Sequence, residues 1–140
     1  MIMLNPSTAD GIQDDPTIRR CISFASRMGA THLFVANLFA SRATKPLDLL
    51  GFKDPVGAEN MRFVRKAVDR ADLVVCAWGT QTNSRMRQLM QAQINALAVE
   101  LKDEELWSFG VTKNGSPRHP LYLPLSVKLQ PFSPFDNLMT

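Results

Sequence analysis

Leu33-Phe34-Val35-Ala36-Asn37 is the stretch that decides how this chain is read. An unbroken apolar run closed by an amide describes a short strand with no polar face. A strand that borders water alternates polar and apolar side chains, so a continuous run points to one covered on both sides, as in a parallel sheet. The signature recurs along the chain. Ile2-Met3-Leu4 closes at Asn5-Pro6, Leu73-Val74-Val75-Cys76-Ala77 at Trp78-Gly79, and Leu106-Trp107-Ser108-Phe109 at Gly110.

Between these runs the period becomes helical. Asp14-Asp15-Pro16-Thr17 is a helix start, with Asp15 as N-cap and Pro16 in the first turn. Ile18, Cys21, Ile22, Ala25 and Met28 then recur at helical spacing, and Gly29 is the residue expected just past the end. Glu59 to Arg70 reads as a second helix with Phe63, Val64, Ala67 and Val68 inward. Ser84 to Leu101 reads as the longest, with Met86, Leu89, Met90, Leu97 and Leu101 apolar. Ser41 to Gly57 reads as loop and irregular chain. Beyond Gly110, Pro117, Pro120, Pro124, Pro131 and Pro134 break up any regular helix.

Strands alternating with helices predict one α/β domain over 1–140, a three-layer α/β/α sandwich with a mostly parallel central sheet. The first strand begins abruptly at Met1. The expectation is therefore that Ile2–Leu4 is paired on both sides inside the sheet and that the natural product carries more sequence upstream.

Composition narrows the function classes. The 140 residues are 45% hydrophobic and 21% charged, ordinary for one globular domain. No apolar run approaches the roughly 20 residues a membrane span needs. The net charge of +3 and pI of about 9.1 suit an anionic ligand without amounting to a polybasic tail. Cys21 and Cys76 fall among apolar neighbours, as reduced, buried thiols of a cytoplasmic protein do. With His32 and His119 the only histidines, there is no metal-ligand spacing, and neither a phosphate loop, a dinucleotide fingerprint nor a serine-hydrolase elbow occurs. No metal and no cofactor is expected.

In such a sheet ligands bind beyond the carboxyl ends of the strands. Polar residues stand there after each run: Asn5, Ser7, Thr8 and Asp10 after the first, Asn37, Arg42 and Thr44 after the second, Trp78, Gly79, Thr80 and Gln81 after the third, and Lys113, Arg118 and His119 after the fourth. Asn5 either turns the chain or orients a water or a ligand edge. Asn37 either caps its own backbone or reads a base with its paired donor and acceptor. Arg19 and Arg20 sit in the first turn of a helix, where cations oppose the dipole, so either they are solvated or one grips an anion. Trp78 either closes the core or stacks on a ring, and Gly79 permits close backbone approach. Arg118 and His119 join a fixed cation to a titratable imidazole and form the best catalytic candidate. Asp14 and Asp15 read as cap and charge partner. His32 precedes its strand, at the wrong end of the sheet.

Met3-Leu4-Asn5-Pro6-Ser7-Thr8-Ala9-Asp10, Asp14 to Arg20, Val35-Ala36-Asn37-Leu38-Phe39-Ala40, Ala77-Trp78-Gly79 and Pro117-Arg118-His119-Pro120-Leu121-Tyr122-Leu123 together resemble the bacterial domain-of-unknown-function family numbered 1643, from the first residue to about Pro124. The order of motifs is more distantly similar to the α/β-fold uracil-DNA glycosylase superfamily. That resemblance implies a water-positioning role for Asn5, base reading by Asn37 and stabilisation of a departing base by His119. The chain departs from that pattern: the glycine before the first motif is absent, and the late motif reads His-Pro-Leu-Tyr-Leu. The reading is an enzyme of nucleobase or nucleotide chemistry with Asn5, Arg118 and His119 as catalytic groups. The alternative is a nucleotide or nucleic-acid binding module without turnover.

Overall fold

The computed structural model describes residues 1–6 and 15–134. Its strands are short and set in pairs. β1 (Ile2–Met3) runs parallel to β2 (Ala36–Asn37), with Ile2 opposite Ala36 and Met3 opposite Asn37. β3 (Val74–Val75) runs parallel to β4 (Leu106–Ser108), and β5 (Gln130–Phe132) joins β4 antiparallel. A parallel bridge from Ile2 to Cys76, with Ala77 N–H donating to Ile2 O at 2.8 Å, connects the two pairs. β1 is therefore paired on both sides, as its apolar run predicts. The chain is α/β.

Alternation along the strands divides the core. Ile2, Leu4, Ala36, Leu38, Val74, Cys76 and Leu106 pack with Val64 and Val68 of α2 (Asn60–Arg70) and with Met86, Met90, Ile94 and Leu97 of α3 (Ser84–Glu100). Met3, Val75 and Ala77 point the other way, onto Cys21 and Phe24 of α1 (Pro16–Arg27), Phe109 and Leu123. Both faces are covered at the ends of the runs, but the expected strand over Leu33–Ala36 shrinks to Ala36–Asn37, and Phe34 and Leu73 are exposed, because the runs enter the sheet only at their last residues.

The helix ends follow local chemistry. Asp15 Oδ1 accepts from Thr17 N–H at 2.8 Å and Ile18 N–H at 3.4 Å, with Pro16 beside it. Gly29, φ +80°, takes the left-handed turn that stops α1. Three inward assignments change. Ile22 is 52%, Met28 40% and Phe63 62% exposed, whereas Phe24, outside the expected stripe, is 2% exposed. The stripe of α1 is set by Cys21, Phe24 and Ala25, a rotation that the periodicity of Ile18 and Ile22 did not distinguish. A 3-10 helix, Pro46–Gly51, orders part of the segment read as irregular and buries Leu49. β5 is unforeseen because Pro131 lies within it; the strand sits at the end of the β3-β4-β5 order, where a residue without an N–H is tolerated. Among the described residues no helix is long and apolar enough to cross a membrane.

Candidate functional site at the carboxyl ends of the strands

Three residues beyond the Ile2–Cys76 bridge lie Asn5 on one strand and Gly79 on the other, so both leave the sheet at the same edge. Asn5 is half-buried, and its Nδ2 donates to the carbonyls of Pro6 and Ala43, each at 2.9 Å. Ala43 N–H returns a bond to Pro6 O at 3.1 Å. The loop after β2 is thereby docked on the end of β1, and exposed Arg42 is carried with it. Asn37 is half-buried and lies between Ala36 and Leu38, whose side chains face α2, so its own lies on the α1 face with Met3. Its carbonyl and that of Leu38 accept from Asn60 Nδ2, at 2.8 and 3.1 Å. Asn60, 8% exposed, was missed in the sequence, where nothing separates a helix-start asparagine from one that ties down a strand end.

The second half of the rim is built by Gly79. Its φ of +76° turns the chain out of the sheet, and its N–H donates to Pro117 O at 2.9 Å. This bond draws in the segment after β4, a hairpin marked by the Val111–Pro117 bridge and by Thr112 N–H to Ser116 O at 2.8 Å. Asn114 Nδ2 adds a 2.7 Å bond to Thr80 Oγ1 at its tip. His119 emerges against Gly79, where a β-carbon would meet the His119 Cβ at 3.3 Å.

His119 is half-buried, and its Nδ1 lies 3.1 Å from Leu121 N–H. A backbone N–H can only donate, so Nδ1 accepts and the proton of the neutral imidazole sits on Nε2. Burial holds the imidazole below its ordinary pKa, and the Asp15 carboxylate at the start of α1 opposes that shift. The ring is a neutral N–H donor on the edge shared with Asn5.

The turn that follows is strained. Leu123 N–H donates to Pro120 O at 3.1 Å, and Tyr122 inside this turn has φ 72°, the only positive value among described residues other than glycine. A type II turn takes glycine at that position, and a residue with a β-carbon costs about 1–2 kcal/mol there. Arg20, half-buried, anchors the turn: its Nη2 donates to Leu123 O, and its guanidinium lies 5.4 Å from the centre of the Phe24 ring. Arg20 therefore positions the loop and is not a free anion grip. Arg19 is exposed on the neighbouring face.

Two candidates are not brought together with the rest. Trp78 is 2% exposed, lies in the core with Met86 and Met90, and meets Phe132 edge-on at 5.8 Å, so it closes the core and cannot stack on a ligand. Arg118 and His119 diverge. The Arg118 Cδ lies 3.5 Å and its Nη1 3.9 Å from the β-carbon position of Gly110, whereas His119 lies against Gly79. Successive residues of an extended segment point to opposite sides, so the expected cation–imidazole pair is not formed. Lys113 is exposed on the hairpin. Ser7, Thr8, Asp10 and Asp14 lie outside the described residues.

His32 lies at the opposite edge, on the wall of a cavity of about 560 Å³ that Arg70 and Asp72 also line. His32 and Arg70 serve local contacts: His32 Nδ1 is 2.9 Å from Thr31 Oγ1, and Arg70 covers the Phe34 ring at 5.5 Å. The thiols are also accounted for. Both are free and buried, and desolvation pushes Cys21 up to about 11 and Cys76 to about 12, which keeps them protonated. Among the described residues no group of three or more His, Cys, Asp or Glu side chains could hold a metal ion.

Fold and rim together define an α/β protein whose half-buried histidine stands at the carboxyl ends of parallel strands. The chain belongs to the family described as "Protein of unknown function (DUF1643)", whose model matches residues 1–121. Neither the curated proteins nor the solved structures contain a match to it.

Proposed function

We propose that the protein acts on a nucleobase, nucleotide or nucleic-acid strand at this rim, by N-glycosidic hydrolysis, on a three-layer α/β/α sandwich similar to the uracil-DNA glycosylases. The observation that carries the reading is the pinned tautomer of His119. With Nδ1 accepting from Leu121 N–H, Nε2–H is the atom offered to a ligand. A neutral N–H donor aimed at a base oxygen gains strength as negative charge grows on a departing base, and it needs no proton transfer to do so. Asn5 meets the attacking water through Oδ1, because its Nδ2 serves the carbonyls of Pro6 and Ala43. Asn37 reads the base edge. Exposed Arg42 and Lys113 supply charge for phosphate.

A second reading, binding without turnover, is favoured by one specific feature. Asn5 offers water an amide oxygen, which orients but is too weak a base to take its proton.

Titration of single-stranded DNA, RNA and mononucleotides at two salt concentrations tests both readings. Binding is expected to weaken steeply with salt. Lys113→Ala lowers affinity about equally for all sequences, whereas Asn37→Ala changes preference among bases by about 1–3 kcal/mol. Release of base from deaminated-base DNA or free nucleosides, lost in His119→Ala, separates enzyme from binding module. Absence of binding even at low salt rules out both.

A further inference from the structure

Tyr122 is held in a conformation that suits glycine, in the turn that follows His119, yet the residue is 91% exposed. Burial of the ring therefore does not offset the strain. The turn itself is held from three sides: Leu121 N–H bonds His119 Nδ1, Leu123 N–H bonds Pro120 O, and Arg20 holds Leu123 O. Pro120 and Leu123 on either side are buried. A held backbone thus carries an aromatic side chain out to solvent, one residue beyond the Leu121 N–H that bonds the imidazole Nδ1. The bonded turn and its buried neighbours keep Tyr122 in this strained shape while leaving the residue to solvent, an arrangement that points to a ligand contact.

We propose that Tyr122 is a stacking platform for the ring of the ligand held by His119, an inference that rests on the nucleobase reading. An aromatic face takes any base, because every base has a π-face, so the platform contributes affinity and leaves base preference to the rim amides. Stacking of this kind is worth about five- to a hundredfold in affinity.

The chain has a single tyrosine, so 3-fluorotyrosine labelling gives one fluorine resonance that reports on this ring alone. Uridine monophosphate and a short oligothymidylate are the probes, with affinities measured in parallel by calorimetry. The expected result is a saturable shift of the resonance with either probe. Tyr122→Phe keeps affinity within about twofold, and Tyr122→Gly lowers it about five- to a hundredfold for both probes. Because glycine relieves the turn, the same variant should melt a few degrees higher than the wild type, so weakened binding cannot be put down to unfolding. If the wild type binds and Tyr122→Gly binds as tightly, the platform is overturned and the nucleobase reading stands. If the wild type binds neither probe, the nucleobase reading and the platform fall together. A resonance that moves with protein concentration and not with ligand assigns the ring to contact between copies, and also overturns the proposal.

Discussion

A β-carbon placed on Gly79 would lie 3.3 Å from the β-carbon of His119, closer than side chains ordinarily approach, so the segment after β3 packs tightly on the histidine loop at a residue without a side chain. The same glycine holds that loop through its N–H to Pro117 O at 2.9 Å. The rim is assembled by backbone bonds between segments far apart in sequence, and the side chains follow from them.

Gly79→Ala should therefore act on both stability and ligand binding. Its φ of +76° costs alanine about 1–2 kcal/mol, and the new methyl group, 3.3 Å from His119 Cβ, pushes His119 aside by about a few tenths of an ångström. Gly29→Ala is the control, since it carries the same backbone penalty at φ +80° with nothing within 4 Å. Urea denaturation should show comparable losses in the two variants, while binding of uridine monophosphate weakens only in Gly79→Ala.

The depressed pKa of His119 sets a pH dependence. Burial lowers it below the ordinary 6.5, so the unfolded chain takes up a proton more readily than the folded one. The contribution to stability is fully present above pH 6.5 and is lost as pH falls through the folded value. Urea denaturation at pH 7.5 and at successive steps below 6.5 should show this decline, and His119→Gln should flatten it.

Asn60 contributes to the fold through two carbonyls. Asn60→Ala leaves Asn37 O and Leu38 O without the amide that bonds them at 2.8 and 3.1 Å. A loss of about 1–3 kcal/mol in denaturant unfolding is expected, because these groups sit where water does not readily replace the donor.

The two cysteines should be silent in the native protein. With Cys21 at about 11 and Cys76 at about 12, a disulfide-exchange reagent at pH 8 should find no reactive thiol until denaturant is added, when both titrate. Prompt reaction of either in the native state would contradict its burial.

Much of the fold is legible in short range. The apolar runs ending at Leu4, Ala36 and Ala77 mark where strands lie, although Phe34 and Leu73 in two of them are exposed and β2 begins only at Ala36, and Asp15-Pro16 and Gly29 mark the limits of α1, because capping and left-handed turns are decided by neighbours in sequence. The strand ends also mark, from the sequence alone, the edge of the sheet at which Asn5, Gly79 and His119 meet. Long-range contact decided the rest. Trp78 turned inward because Phe132, 54 residues on, packs against it. Arg20 became an anchor because Leu123 O reached it across 103 residues. Arg118 left His119 because the hairpin sets alternate side chains on opposite sides. No local propensity encodes these choices; the tertiary structure makes them, since each depends on which buried groups still need a partner once the strands have paired.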